Sequence, residues 1–316
     1  MTRADFVNEL SRRLDIQRRD MIEKDVILHE LLLDLSKNEF FADNFVFKGG
    51  TCLIKCFYGY KRFSEDIDFT WKKQSDFKGK TQKQIRSELS GLISRTGKML
   101  EEIATKRGLE FKLKKSDRTF IELGGSNKLC TFKVWYESEV MGRRSFIKVQ
   151  INFVEEMCFK VKRRTARSLL VKADPELEAL FPEYVDYATG ISLQAYDIRE
   201  ILSEKIRALL TRRGTKARDF VDVYLISREC GISASAVEGC AVKKIGFALK
   251  LYSRFRSNLR AKEALLKSGK LFEWGQERTL LLSGFDEKDF YSFLGRFEQV
   301  LGRIDQAATL HEKALD

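Results

Sequence analysis

Apolar positions follow a helical period near both ends of the chain and alternate singly in between. Over residues 2–35 they recur at helical spacing, which predicts two helices. Residues 81–105 repeat that spacing and predict a long amphipathic helix. From about residue 192 the same period predicts helices as far as the last residue.

Shorter apolar or alternating stretches between these helices predict strands. The first of them is broken by Gly49-Gly50, after which residues 51–58 are predicted to be helical. The predicted strands are residues 45–47, 67–71, 110–114, 130–136 and 146–153. Gly124-Gly125-Ser126-Asn127 is predicted to be a hairpin turn. We therefore expect a mixed α/β domain over residues 1–190 and a helical domain over residues 191–316.

Composition narrows the class of protein. The 58 basic and 46 acidic residues give a net charge of +12, which favours a polyanionic partner such as nucleic acid or a triphosphate. No apolar stretch is long enough to span a membrane, and the N-terminus lacks an apolar signal segment, so we expect a cytoplasmic protein without a membrane partner.

The six cysteines are scattered without CxxC spacing, and we expect all of them to be reduced thiols. Only His29 and His311 are histidines, which argues against a histidine-based catalytic triad or a zinc hydrolase site. The chain has no GxxxxGK[ST] sequence, so a P-loop ATPase is unsupported.

The segment from residue 47 to residue 68, FKGGTCLIKCFYGYKRFSEDID, carries the clearest chemistry. Gly49 and Gly50 allow close approach of a phosphate, and Thr51 offers a hydroxyl donor at the start of the predicted helix. Asp66 and Asp68 are two residues apart on a predicted strand, so both carboxylates point to one face. Paired carboxylates are oxygen ligands that suit Mg²⁺, or Mn²⁺ in its place.

This segment, with Ser64 beside the aspartates, resembles the DNA polymerase β-like nucleotidyltransferases. More narrowly it resembles the AbiEii/AbiGii toxin family, which includes the MenT toxins, and Glu23-Lys24-Asp25 is similar to an EKD sequence of that family. The resemblance implies an α+β, bilobed fold, in which a polymerase β-like core (a mixed sheet flanked by helices) precedes a helical C-terminal domain. It also implies that Gly49, Gly50, Thr51 and Ser64 contact the nucleotide.

A second motif lies on two predicted helices, EKIRALL and RDFVDVY. Asp219 and Asp222 share a helix face, and Lys205 lies on the preceding helix, which is also the pattern of ordinary ion pairs. By resemblance to the second-half sequence of AbiEii toxins, Lys205 contacts nucleotide phosphates and one of the two aspartates completes the site from the helical domain, with Asp222 slightly favoured.

One departure from the superfamily concerns a third carboxylate, which a later strand commonly supplies. The matching positions are Gln150 and Asn152, both neutral. Glu155 or Glu156 could substitute, although exposed glutamates at a strand end are the simpler interpretation. The general base is therefore not assigned.

The resemblance implies a nucleotidyltransferase that moves NMP from an NTP to an acceptor. The expected acceptor is the 3′ end of tRNA. The expected role is the toxin of a toxin–antitoxin system with a separately encoded antitoxin, acting in phage defence. Two alternatives stay open: an enzyme that modifies a protein hydroxyl, and a nucleotide-binding module without catalysis.

Overall fold

The computed structural model describes residues 1–172, 174–282 and 286–313, with side chains as far as Leu310. The chain divides into two compact units. The first comprises Met1–Glu155 and Lys162–Ala195, and the second comprises Glu156–Val161 and Tyr196–Asp316. The segment Glu156–Val161 therefore packs with helices that come later in the chain.

The first unit is a seven-stranded mixed sheet with helices. Its helices are α1 (Arg3–Leu14), α2 (Arg19–Lys37), α3 (Glu39–Asn44), α4 (Gly49–Leu53), α5 (Gln82–Lys106) and α6 (Pro175–Leu180). Its strands are β1 (Phe45–Lys48), β2 (Asp66–Trp71), β3 (Ile121–Gly124), β4 (Leu129–Ser138), β5 (Arg143–Asn152), β6 (Lys162–Ala166) and β7 (Ile191–Ala195). Their order in the sheet is β3-β4-β5-β2-β1-β7-β6.

The local sequence explains the helix starts and the strand faces. Thr2 with Asp5 caps α1, and Thr81 with Gln84 caps α5, each by the reciprocal hydrogen bonds of a capping box. The core face of β5 is formed by alternate residues that are fully buried: Ile147, Val149 and Ile151. β1 and β2 are antiparallel, whereas β2 and β5 are parallel. The central strands thus bring the 47–68 segment and β5 side by side.

The structure confirms the α+β class and the predicted helices of residues 2–35 and 81–105. It also corrects one strand prediction and one helix prediction. Residues 110–114 form only one bridge, between Glu110 and Trp135, and not a strand. The chain does not turn helical at residue 192, because Ile191–Ala195 forms β7 beside β1. The predicted turn over residues 124–127 does join β3 to β4, with Ser126 and Asn127 in the left-handed region.

The second unit is helical. It consists of α7 (Ile198–Thr211), α8 (Ala217–Cys230), α9 (Glu238–Leu251), α10 (Arg254–Lys267) and α11 (Glu287–Lys313), with short 3₁₀ turns. Gly231 ends α8 in the left-handed conformation that favours glycine. Within the described ranges, no helix is long and apolar enough to cross a membrane.

The prediction that all six cysteines are reduced is wrong for one pair. Cys158 and Cys240 form a disulfide within the second unit, with their Cα atoms 6.1 Å apart. Their separation of 82 residues leaves no local pattern that sequence spacing could reveal.

Candidate active site

Gly49 and Asp68 meet at the end of β1. Lys48, the last residue of β1, lies opposite Asp68 of β2, and the chain then turns into α4 with Gly49 at φ +77°. A Cβ atom built on Gly49 would lie 2.2 Å from Oδ2 of Asp68. Glycine is therefore required here twice over, by its positive φ and by the carboxylate that occupies the space of a side chain.

Gly50 provides a second close approach. A Cβ at this position would lie 2.6 Å from Nη2 of Arg62 and 3.3 Å from Oγ of Ser64. Arg62 is almost fully buried and its Nη1 donates to the carbonyl of Phe63 at 2.6 Å. A guanidinium charge thus lies against the glycine turn. Arg62 is outside the predicted set of site residues, although it stands beside the aspartate pair in the RFSEDID sequence of the motif.

Thr51 has a structural contact that its predicted role does not include. Its buried hydroxyl donates to the carbonyl of Asp66 and lies 2.8 Å from Oγ of Ser64. These bonds join the start of α4 to the residues just before and at the start of β2. Contact of Thr51 or Ser64 with a phosphate stays a prediction.

Asp66 and Asp68 occupy the same face of β2 and are both partly exposed. Across the parallel pair they lie opposite Lys148 and Gln150 of β5. Two carboxylates on one face, beside a cradle that a Cβ would fill, fit a hard divalent cation. The residues present therefore suit Mg²⁺ chemistry.

The third carboxylate is absent from the position that the superfamily pattern predicts, because Gln150 is the residue opposite Asp68. The interpretation of Glu155 as an exposed residue is wrong. Its side chain is buried, and its Oε2 accepts from Nδ2 of Asn152 at 2.6 Å and from Nζ of Lys48 at 3.4 Å. Glu156 belongs to the second unit, where it pairs with Lys243 at 2.6 Å. Of the two glutamates, Glu155 is the one joined to the β1 residue that faces Asp68.

The EKD sequence on α2 holds the loop before Asp66. Lys24 pairs with Glu65 at 2.9 Å. Asp25 accepts hydrogen bonds from Tyr187 at 2.7 Å and from Tyr60 at 2.9 Å, and it forms an ion pair with Lys55 at 2.9 Å. Burial lowers the pKa of Lys55, and the charge of Asp25 opposes this shift.

Glu23, the first residue of the EKD sequence, contacts a different part of the chain. Its Oε1 accepts from the main-chain N–H of Glu139 at 2.8 Å, and its Oε2 accepts from the hydroxyl of Ser138. Ser138 ends β4, and Glu139 follows it in the connection to β5. Lys24 and Asp25 therefore hold the segment that leads to the aspartate pair, whereas Glu23 holds the end of β4.

The nearby His29 has a structural role. Its Nε2 lies 3.0 Å from the carbonyl of Thr189, and its ring packs against Tyr187. Burial lowers the pKa of His29 to about 3, and the charge of Lys55 adds to the shift. His29 is therefore neutral at physiological pH.

In the second unit the structure brings Lys205 together with both predicted aspartates. Its Nζ lies 2.7 Å from Oδ1 of Asp219 and 2.7 Å from Oδ2 of Asp222. Asp219 also contacts Arg212 at 3.0 Å. Burial alone would raise the pKa of Asp219, but the charges of Lys205 and Arg212 outweigh it and lower the pKa. Both aspartates hold the ammonium, so the structure does not choose between them.

One group of possible metal ligands was found among the described residues, Cys158, Glu200 and Cys240. The two sulfur atoms are bonded to each other. Glu200 accepts from the N–H groups of Cys158 and Phe159, and the buried Nζ of Lys244 lies 2.6 Å from its Oε1. The ligand atoms are already engaged, so this group holds Glu156–Val161 against α7 and α9 rather than a cation.

Comparison with known proteins decides the family. The sequence matches the family described as nucleotidyl transferase AbiEii toxin, Type IV TA system, over residues 30–300. The chain belongs to the AbiEii family. It is therefore a nucleotidyltransferase of the toxin–antitoxin class, which implies an NTP substrate, usually with a divalent metal, and a separate antitoxin.

One solved structure, that of MenT4, shows the same fold. MenT4, a nucleotidyltransferase toxin from Mycobacterium tuberculosis, is 20% identical and superposes with a TM-score of 0.57, covering 98% of this chain and 90% of that one. JHP933 from Helicobacter pylori is 18% identical with a TM-score of 0.40, over 92% and 97% of the two chains. No curated protein matches the sequence.

Proposed function

We propose that this AbiEii protein transfers NMP from a Mg²⁺–NTP complex to the 3′ end of an RNA, with tRNA as the expected acceptor. One observation carries the assignment of the site: the glycine turn and the aspartate pair meet where Asp68 fills the side-chain space of Gly49. A phosphate that approaches the turn would therefore lie beside both carboxylates of β2. Asp66 and Asp68 are the proposed metal ligands.

In the first unit, some residues are proposed to supply charge and others to hold the site in position. Arg62 supplies a buried positive charge next to Gly50, which favours a polyphosphate at the turn. Thr51 and Ser64 keep the turn and the start of β2 in register. The metal, when bound, neutralises charge on the phosphates. The new bond joins the acceptor oxygen to the α-phosphorus, the bond from the α-phosphorus to the α–β bridging oxygen breaks, pyrophosphate leaves, and the hydroxyl proton passes to solvent.

Lys205 is proposed to contribute to the same reaction on the strength of the family's second-half motif. Its ammonium is only partly exposed, and Asp219 and Asp222 fix it in place. A fixed ammonium would stabilise the negative charge that develops on the leaving pyrophosphate. This assignment rests on the motif and on the ion pairs within the second unit.

The cellular proposal follows from the class of the family. We propose that the protein arrests growth in the cytoplasm by modifying RNA, that a separate antitoxin neutralises it, and that the pair serves in phage defence. The +12 charge supports an RNA partner.

The test is nucleotide transfer with each labelled NTP, offered in turn to total RNA and to total protein. Label in tRNA supports the proposal, and label in protein instead would replace it with protein modification. NTP binding without transfer to either would leave a binding module. Asp66→Ala should abolish transfer and growth arrest, whereas Asp43→Ala, at an exposed position of α3, should not. A folded Asp66→Ala protein that still transfers would refute the site.

A further inference from the structure

The sheet face that carries the aspartate pair continues onto the β4–β5 hairpin. Asp66 lies opposite Lys148 of β5. The next residue of β5 on this face is Phe146, and it lies opposite Trp135 of β4. Because side chains on one face recur every second residue, Asp66, Lys148, Phe146 and Trp135 all lie on one side of the sheet.

Two aromatic rings stand on this face where a half-solvated sheet usually carries polar residues. On β5 the alternate residues are buried in the core, whereas Phe146 and Lys148 are partly exposed. Trp135 is partly exposed as well, and its indole N–H donates to the carbonyl of Thr119 at 2.8 Å. The rings of Trp135 and Phe146 pack with their centroids 4.6 Å apart. Together they form a rigid aromatic surface.

Positive charges surround these rings. The guanidinium of Arg144 lies 4.3 Å from the centre of the Trp135 ring. The ammonium groups of Lys133 and Lys148 each lie 5.7 Å from the centre of the Phe146 ring. In contacts of this kind the ring quadrupole attracts the cation and holds it beside the aromatic face.

Not all of these charges are equally available to a ligand. Arg144 forms an ion pair with Glu110, and Lys133 forms one with Glu122. Lys148 forms no ion pair with any acidic side chain in the described ranges. Lys148 is also the residue between the aromatic pair and Asp66. The available cation thus lies between the rings and the aspartates.

We propose that Trp135, Arg144, Phe146 and Lys148, the aromatic–basic surface, bind the single-stranded end of the nucleic-acid acceptor. One or two terminal bases would stack on the rings, and Lys148 would contact a phosphate. The proposal rests on the nucleotidyl transfer proposed above and adds where its acceptor is held. Strand geometry places the backbone of Phe146 about 8 Å from that of Asp66, and the backbone of Trp135 about 12 Å away. A terminal nucleotide stacked there would have its 3′ hydroxyl within reach of the aspartate pair.

A purely structural role would leave different evidence. A cross-strand aromatic pair also stabilises a hairpin, and truncating it would then lower stability without changing acceptor binding alone. Base stacking predicts the opposite, a loss of affinity for RNA with NTP binding unchanged. Leucine substitutions distinguish the two, because leucine keeps most of the apolar contact and removes the π face.

The experiment measures binding of a fluorescein-labelled, single-stranded oligoribonucleotide by anisotropy, and of Mg²⁺–ATP, GTP, CTP and UTP separately. Phe146→Leu and Trp135→Leu should each weaken RNA binding by about tenfold, the scale of one lost stacking contact. Lys148→Gln should reduce the slope of log affinity against log salt by about 0.7. Phe40→Leu is the matched control, since Phe40 is a half-buried phenylalanine with an arginine, Arg95, 3.7 Å over its ring.

The outcomes separate the two proposals. The proposal is supported if Phe146→Leu and Trp135→Leu each lose RNA affinity but keep NTP affinity. Phe40→Leu must bind RNA as tightly as wild type, and all variants must be equally stable to heat. RNA binding as tight as wild type in both leucine variants overturns it, even if RNA is still labelled in the transfer assay. An equal loss of RNA affinity in Phe40→Leu overturns the proposal too. Failure of wild type to transfer NMP to any RNA, while the oligoribonucleotide still binds selectively, overturns the proposed function alone.

Discussion

Gly49→Ala tests the central contact of the candidate site, because it adds one methyl group between the glycine turn and Asp68. The added Cβ would lie 2.2 Å from Oδ2, 2.8 Å from Cγ and 2.9 Å from Cβ of Asp68. Real Cβ atoms do not approach other atoms within 3.0 Å. The Asp68 carboxylate must therefore move by about 1 Å, or the turn must open.

The substitution has two separable effects. Alanine at φ +77° costs about 1–2 kcal/mol of backbone strain, which should lower the free energy of unfolding by about that amount. If Asp68 holds the metal as proposed, displacing its carboxylate by about 1 Å should cost on the order of 10²-fold in rate, because positioning supplies much of the acceleration. We expect loss of transfer well beyond what the fraction of unfolded protein explains.

Gly108→Ala is the matched control. Gly108 also has a positive φ, of 65°, but no atom lies within 4 Å of the place that an added methyl group would take. It should lose a similar 1–2 kcal/mol of stability, by the same rough measure of strain, and keep its rate of transfer. The assay is urea unfolding for stability, together with initial rates of transfer under saturating NTP. Wild-type transfer in folded Gly49→Ala, or equal loss of rate in Gly108→Ala, would refute the reasoning.

Two further predictions concern the other charged groups. Lys205→Arg should keep the fold, because a cation still faces Asp219 and Asp222. It should slow transfer about 10²-fold, since a guanidinium places its charge differently from an ammonium. A rate within about twofold of wild type would show that Lys205 takes no part in the reaction. His29→Gln should make stability less sensitive to acid. The pKa of His29 is about 3 when folded, so unfolding takes up a proton below about pH 6.5, and stability falls as the pH falls through that window. Urea titrations at about pH 7 and about pH 5 should show the wild type losing about 2 kcal/mol more than His29→Gln, and parallel losses would contradict the assignment.

Local patterns predict the site residues of the first unit because its parts are adjacent in the chain. The strand break at Gly49-Gly50 and the alternation around Asp66 and Asp68 both act within about twenty residues. The contact between Gly49 and Asp68 follows from the register of β1 on β2, which that short connection fixes. The sequence could not reveal Arg62 as part of the turn, because nothing in its spacing shows that the side chain folds back on Gly50.

Sequence patterns mislead where a distant partner decides the outcome. Residues 110–114 alternate as a strand should, but β4 already pairs with β3 over Leu129–Phe132, and only Glu110 reaches Trp135. A strand needs a free edge as well as a pattern. The helical prediction for β7 fails because a distant partner is present. The five residues of β7 are followed closely by α7, so their pattern merges with that of the helix, and the β1 residue that pairs with β7, Phe47, lies far away in the sequence.

The missing third carboxylate is better understood as a change in charge balance than as a defect. Gln150 leaves two carboxylates on the face of β2 and β5, while Lys48 lies opposite Asp68 and Arg62 lies on the glycine turn. A site with fewer negative and more positive groups attracts a triphosphate with less help from metal charge. Glu155 then has a defined place, because its ion pair with Lys48 limits how much positive charge that lysine presents. The aspartate pair is thus accompanied by an ion-paired lysine and a buried arginine, which set the charge of the candidate site together with the two carboxylates.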